Sequence, residues 1–217
     1  GVQTCALPIF MGGQWQVTFQ ASEPGDFGGT MLWMGQNIGK PKGTHPAGSY
    51  TIAEWLSEFS RVSHDPASGR LFRPGDWVEV RARAPGLFYK GKTNINEAHS
   101  KKPVNDFDVV LLAAGEGLPE PASVSLAQLK HDAPGADFDR FRFDPTRLSG
   151  VEHYQGTVVR FENVWWTNTS DWRPGGDLVV TDGVLTFPVK LGRSSDFSGY
   201  PAPASPFTVV GILDQED

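Results

Sequence analysis

The sequence predicts an all-β protein with one short helix, and three observations carry that expectation. Apolar and polar residues alternate in short runs, as in Gln14-Trp15-Gln16-Val17-Thr18-Phe19-Gln20, which puts Trp15, Val17 and Phe19 on one face of a half-buried strand. Glycine and proline, 25 and 17 of the 217 residues, cut these runs throughout the chain and exclude a long coiled coil. A helical period appears in one place: Ile52, Trp55, Leu56, Phe59 and Val62, opened by Thr51 and Glu54 in the pattern of a capping box.

The remaining elements follow in order. Thr30 to Met34 is a short apolar run, and a glycine-rich loop containing His45 leads from it to the helix. Pro74-Gly75-Asp76 punctuates the chain before Trp77 to Arg83, where Val78, Val80 and Ala82 should point inward and Trp77, Glu79, Arg81 and Arg83 outward. Phe107 to Ala114 is apolar at nearly every position, the pattern of a strand covered on both faces or at a barrel closure. Leu118-Pro119-Glu120-Pro121 closes this first unit, residues 10–125. Residues 126–150 show little period beyond a helical turn at Ser125 to Lys130 and read as a linker. A second β unit, 151–217, holds strands at Gly156 to Trp166, Asp177 to Thr181, Val184 to Leu191 and Phe207 to Leu213, at the spacing of a small barrel or sandwich. Arg73-Pro74-Gly75 recurs as Arg173-Pro174-Gly175, which reads as shared turn chemistry rather than duplication.

Composition narrows the function. Seven Trp, 14 Phe and 4 Tyr supply enough apolar area for a real core, and no run approaches the roughly 18 apolar residues of a membrane-spanning helix. A soluble product is expected. The net charge is −6, and residues 126–217 hold 8 basic against 13 acidic groups. Without a global positive field, binding to a polyanion would need a local cluster of cations.

The opening Gly1-Val2-Gln3-Thr4-Cys5-Ala6-Leu7-Pro8-Ile9 resembles the conceptual translation of a common sequencing adapter. That resemblance implies a natural protein running from about Phe10, without cysteine, read as a fragment whose own N-terminus and any signal peptide are not observable; a genuine ragged start is the alternative. Residues 1–9 are accordingly set aside from the fold.

Catalytic and metal chemistry find little foothold. His45, His64, His99, His131 and His153 are scattered, and Ser194-Ser195-Asp196 lacks a nucleophile-elbow pattern. Asp106, Asp108, Asp182 and Asp214 fall at strand ends, where they could hold Ca²⁺ but more ordinarily cap turns. Asn168-Thr169-Ser170 fits a glycosylation acceptor and is read as turn chemistry. No catalytic residue, cofactor or metal is expected.

Two constellations could bind. In the first unit Arg81, Arg83, Phe88, Tyr89, Lys90 and Lys92, with Lys101 and Lys102 close behind, interleave cations with rings, as single-stranded nucleic acid requires for phosphate and base. The alternative is that Phe88 and Tyr89 are core and the cations solvate one sheet face beside Glu79, Glu97 and Asp106. In the second, Arg160, Trp165, Trp166, Trp172 and Arg173 form a Trp-rich stretch; Trp165 and Trp166 must face opposite sides of a regular strand, which suits stacking on a sugar ring as well as core packing.

Several phrases carry a family resemblance: Arg73-Pro74-Gly75-Asp76-Trp77-Val78-Glu79-Val80, Phe88-Tyr89-Lys90-Gly91-Lys92-Thr93-Asn94, Val109-Val110-Leu111-Leu112 and Leu118-Pro119-Glu120-Pro121, then Glu152 to Arg160, Val179 to Gly183 and Phe207 to Asp214. Together they resemble the tandem OB-fold accessory modules of secreted bacterial endonuclease/exonuclease/phosphatase-type nucleases, over roughly residues 70–217. The resemblance implies two OB-like Greek-key β-barrels in tandem, able to bind oligonucleotides or oligosaccharides. It implies a non-catalytic, secreted or cell-surface module, with nucleic acid the first-choice partner for a catalytic domain elsewhere in the polypeptide. A carbohydrate or cell-surface binding module, or a purely structural spacer, is the alternative.

Overall fold

The computed structural model describes residues 2–4, 9–11, 14–21, 28–35, 49–82, 87–89, 93–96, 107–193, 199–204 and 206–214. Among these, strand predominates and three helices occur, so the all-β expectation holds at that level. The chain divides into two units. One comprises Gly1–Glu120 with Gln155–Val158 and Ile212–Asp217, the other Pro121–Tyr154 with Val159–Gly211.

The first unit contains β1 (Val2–Thr4), β2 (Ile9–Met11), β3 (Gln14–Ala21), β4 (Gly29–Gly35), α1 (Ile52–Ser63), β5 (Trp77–Ala82), β6 (Leu87–Tyr89), β7 (Thr93–Asn96) and β8 (Phe107–Ala113). Its sheet runs β6-β7-β4-β3-β1-β5-β8, with β2 also paired to β3, and the pairings are antiparallel except β4 with β7. Val2–Thr4, within the stretch set aside as adapter-like, occupies the position between β3 and β5, with Val2 opposite both Ala21 and Val78. The two flanking strands each offer a row of backbone donors and acceptors there, and a short extended segment satisfies them.

The described strands follow open paths, ending at β6 and β8 in this sheet, and no closed barrel is found. Trp15, Val17 and Phe19 face the core as the alternation requires, but Gln16 and Thr18 are buried as well, so β3 is not half-exposed. Residues from later in the chain, belonging to the same unit, account for this: Gln16 donates to the Asp214 carboxylate at 3.4 Å, and the Val158 N–H donates to the Gln20 side chain at 3.0 Å. Gly29 donates its N–H to the Gln155 carbonyl, and its Cα passes so close to Gly156 that an added Cβ would overlap the Gly156 carbonyl.

Helix α1 forms as its spacing predicts. Thr51 and Glu54 exchange side-chain hydrogen bonds with each other's backbone N–H groups, at 3.3 and 2.9 Å. Trp55 and Val62 are buried and Phe59 packs against them, with Trp15 meeting Phe59 and Phe107 edge-on at 6.0 and 6.2 Å. Ile52 and Leu56 fall outside that stripe and are exposed. Strand β8 is not covered on both faces: it ends the sheet, and Leu112 is exposed while Phe107 and Val109 point into the core. Arg61 ties α1 to it, donating to the Phe107 carbonyl at 3.1 Å and pairing with Asp108 at 2.9 Å.

Two buried carboxylates hold the loops of this unit. Asp76 receives both guanidinium nitrogens of Arg70, at 2.6 and 3.0 Å, and the N–H groups of Arg73 and Gly115, at 2.7 and 3.0 Å. Asp65 receives the N–H and hydroxyl of Ser68 and the N–H of Leu111. Burial opposes ionisation of Asp76, but Arg70 and the two N–H donors outweigh it and hold the carboxyl below its ordinary range.

The second unit contains β9 (Ala122–Ser123), α2 (Leu126–Leu129), a 3₁₀ turn (Phe138–Arg140), α3 (Gly150–Tyr154), β10 (Val158–Trp166), β11 (Asp177–Thr181), β12 (Thr186–Lys190) and β13 (Phe207–Ile212). The sheet runs β12-β11-β10-β13, with β9 parallel to β10. Residues 126–150, read from sequence as a linker, carry α2 and pack it inward: Leu126, Leu129 and Lys130 are buried. Lys130 reaches Asp137 at 2.6 Å and lies 4.6 Å from the Phe141 ring centre, which meets Phe187, itself against Phe161. The single expected helix is therefore joined by two helices of about one turn.

Candidate functional site

The rings that converge on an accessible surface lie at the C-terminal end of β10, in the second unit. Strand geometry sends the adjacent Trp165 and Trp166 to opposite faces, as their spacing requires. Trp165 is half-buried with its ring beside Gly183, in the turn after β11, where a φ of 95° favours glycine. Trp166 is half-buried on the other face; its ring lies 5.8 Å from that of Trp172, tilted by 56°, and 4.9 Å from that of Phe207, tilted by 37°. Its indole N–H is buried without a hydrogen-bond partner.

The loop that presents Trp172 is built from short-range bonds. The Asn168 side-chain oxygen accepts from the N–H and hydroxyl of Ser170, and the Trp172 N–H donates to the Thr169 carbonyl at 3.1 Å. Asp171 accepts from Arg173 Nε and from the Asp177 N–H, both at 2.6 Å, and the Asp177 N–H, foremost, with the guanidinium, lowers its pKa. A side chain on Gly176 would collide with the Asp171 carbonyl, so the turn closes only around glycine. Arg173 to Gly176 repeats the geometry of Arg73 to Asp76: in each, the N–H of the fourth residue donates to the first carbonyl, at 2.9 and 3.1 Å, over a glycine of positive φ. The recurrence is thus the same proline-glycine turn used twice.

The Trp172 indole N–H donates to the Tyr200 carbonyl at 2.9 Å, which fixes the segment Gly199-Tyr200-Pro201 beside it and leaves the Tyr200 side chain exposed. Tyr200 and Phe207 were missed in the sequence. Phe207 reads there as the first residue of a closing strand, and Tyr200 sits among Gly and Pro; proximity to Trp172 across about thirty residues leaves no local signal.

The other expected residues do not assemble in the same way. Arg160 on β10 pairs with Glu162 at 3.1 Å and donates to the Ser123 hydroxyl. Arg81 pairs with Glu79 at 2.7 Å, and that carboxylate raises the guanidinium pKa further. Phe88 and Tyr89 lie on β6, opposite Asn94 and Thr93, with their side chains outside the described residues; Arg83, Lys90, Lys92, Lys101 and Lys102 lie outside them too.

The strand-end carboxylates are engaged in turns and pairs: Asp108 with Arg61, Asp182 with the N–H groups of Val184 and Leu185, Asp214 with Gln16. Asp106 lies outside the described residues. Among the described residues, no group of three or more His, Cys, Asp or Glu side chains is placed to hold a metal ion. No helix among them is long and apolar enough to cross a membrane. No protein-family model, curated protein or solved structure matches the chain.

Proposed function

We propose that this chain is a non-catalytic binding module whose second unit holds a neutral glycan against Trp166, Trp172 and Phe207. The observation that carries the reading is the convergence of these three rings beside the exposed Tyr200. Trp166, Trp172 and Phe207 are each only half-buried, and the exposed part of such rings offers stacking area to a sugar's C–H surface at low entropic cost. The cation nearby favours a neutral partner over a polyanion, because Arg173 already faces Asp171. Nucleic acid, first choice on the sequence, draws less support because Arg81 is likewise paired, with Glu79.

The finer architecture belongs to the same proposal. Two OB-like sheets serving as an accessory module of a secreted or cell-surface protein, alongside a catalytic domain, fit a predominantly antiparallel, strand-rich chain. Affinity electrophoresis through gels of soluble glycans tests the function. Trp172→Ala should weaken retardation at least tenfold, about 1.4 kcal/mol. Single-stranded DNA binding that falls with rising salt would instead favour the nucleic-acid reading. Binding to neither leaves the structural spacer and refutes the proposal.

A further inference from the structure

We infer that the glycan taken by the second unit is a single soluble chain and not the flat surface of a crystalline polysaccharide. The inference rests on the glycan reading above and adds the class of ligand. A crystalline face presents sugar rings in one plane, and an aromatic site that adsorbs to it must offer rings whose faces share a plane. Here Trp166 and Trp172 are tilted by 56° and Trp166 and Phe207 by 37°, so no flat surface can lie against all three. A lone chain can turn between successive residues and meet each ring in its own orientation.

The polar surroundings point the same way. Asp171 and Arg173 sit 2.6 Å apart beside Trp172, with two-thirds of the Arg173 side chain exposed. A sugar hydroxyl both donates and accepts, so adjacent hydroxyls can bridge a carboxylate and a guanidinium at once; a phosphate could only compete with Asp171 for Arg173. Edge hydroxyls of this kind are open to the site on a free chain, whereas in a crystal they are spent on neighbouring chains. Tyr200, 70% exposed and held next to Trp172 through its own carbonyl, brings a further exposed ring and hydroxyl to this segment.

The test uses the full chain with two kinds of probe: gels containing laminarin, xylan, hydroxyethylcellulose or soluble starch, and pull-down on microcrystalline cellulose and on chitin. The expected result is retardation by at least one soluble polymer with no depletion onto either solid. Tyr200→Ala, which removes an exposed side chain, and Arg173→Ala should each weaken retardation about threefold to tenfold, and Trp172→Phe should retain more affinity than Trp172→Ala. Depletion onto a crystalline polymer equal to or stronger than soluble binding overturns the inference while leaving the glycan reading in place. Failure of both probes overturns the two together.

Discussion

Replacing Asp76 by alanine removes the group on which four hydrogen bonds of the first unit converge. The carboxylate is fully buried and joins Arg70 to the backbone at Arg73 and Gly115, so the turn before β5 and the end of β8 both depend on it. The two N–H groups lie on exposed residues that water can partly reach, which places each loss near the low end of the cost of an unpaired donor, about 1 kcal/mol. Arg70 is about one-third exposed and regains solvent, but it forfeits a bidentate charge-assisted contact. Together the change should cost about 3 to 4 kcal/mol, within the range for breaking a buried pair. Because two units need not unfold as one, the suitable assay is hydrogen exchange through a urea series, read by mass spectrometry on peptides from β5 and β8. With a slope of about 2 kcal/mol/M, the midpoint of those peptides should fall by roughly 1.5 to 2 M. The double variant Arg70→Ala with Asp76→Ala should lose little more than Asp76→Ala alone, since the partner's charge then has nothing to neutralise. A midpoint within about 0.3 M of wild type would refute the reasoning.

Two further outcomes follow from the same geometry. Gly29→Ala should abolish a stable first unit, because the new Cβ meets the Gly156 carbonyl and backbone cannot step aside as a flexible side chain would; near-native exchange protection of β3 and β4 in this variant would contradict that. Acid should destabilise both units. Asp65, Asp76 and Asp171 have depressed pKa values and Asp144 is lowered to about 2, chiefly by the Thr146 hydroxyl, then Ser149. Each carboxylate binds its proton more weakly when folded, so its contribution is fully present above the unfolded value near 4 and is lost as pH falls through the folded one. Urea midpoints should therefore be flat from roughly pH 7 to 5 and decline between about 5 and 2; a midpoint that rises across that lower window would sink the argument.

Local periodicity made much of the fold legible. The Thr51–Glu54 capping box, the inward Trp55 and Val62, and the core face of β3 follow from short-range rules that tertiary contacts then reinforced. What sequence could not show was long-range. Burial of Gln16 depends on Asp214, and residues 126–150 are held through the burial of Leu126 and Leu129 and the reach of Lys130 to Phe141. The edge position of β8 is likewise a property of strand order, to which an apolar run such as Phe107 to Ala114 is blind. At the candidate site, the opposed faces of Trp165 and Trp166 were readable from the period of two, whereas Phe207 and Tyr200 join Trp166 and Trp172 only through the return of the chain. The pairing of Arg81, Arg160 and Arg173 with carboxylates was visible in outline as Glu79, Glu162 and Asp171, each two residues away.

The composition of the first unit from separate stretches bears on how a ribosome can make it. Gln155–Val158 and Ile212–Asp217 belong to it, yet the first emerges only after Pro121–Tyr154 of the second unit and the last only after all of it. Gln16, Gln20 and the Gly29 N–H must therefore wait for partners more than a hundred residues downstream, during which water, a chaperone or a wrong strand can occupy them. Vectorial folding, one unit completed before the next begins, is closed to this polypeptide, and no single proteolytic cut can release its first unit whole.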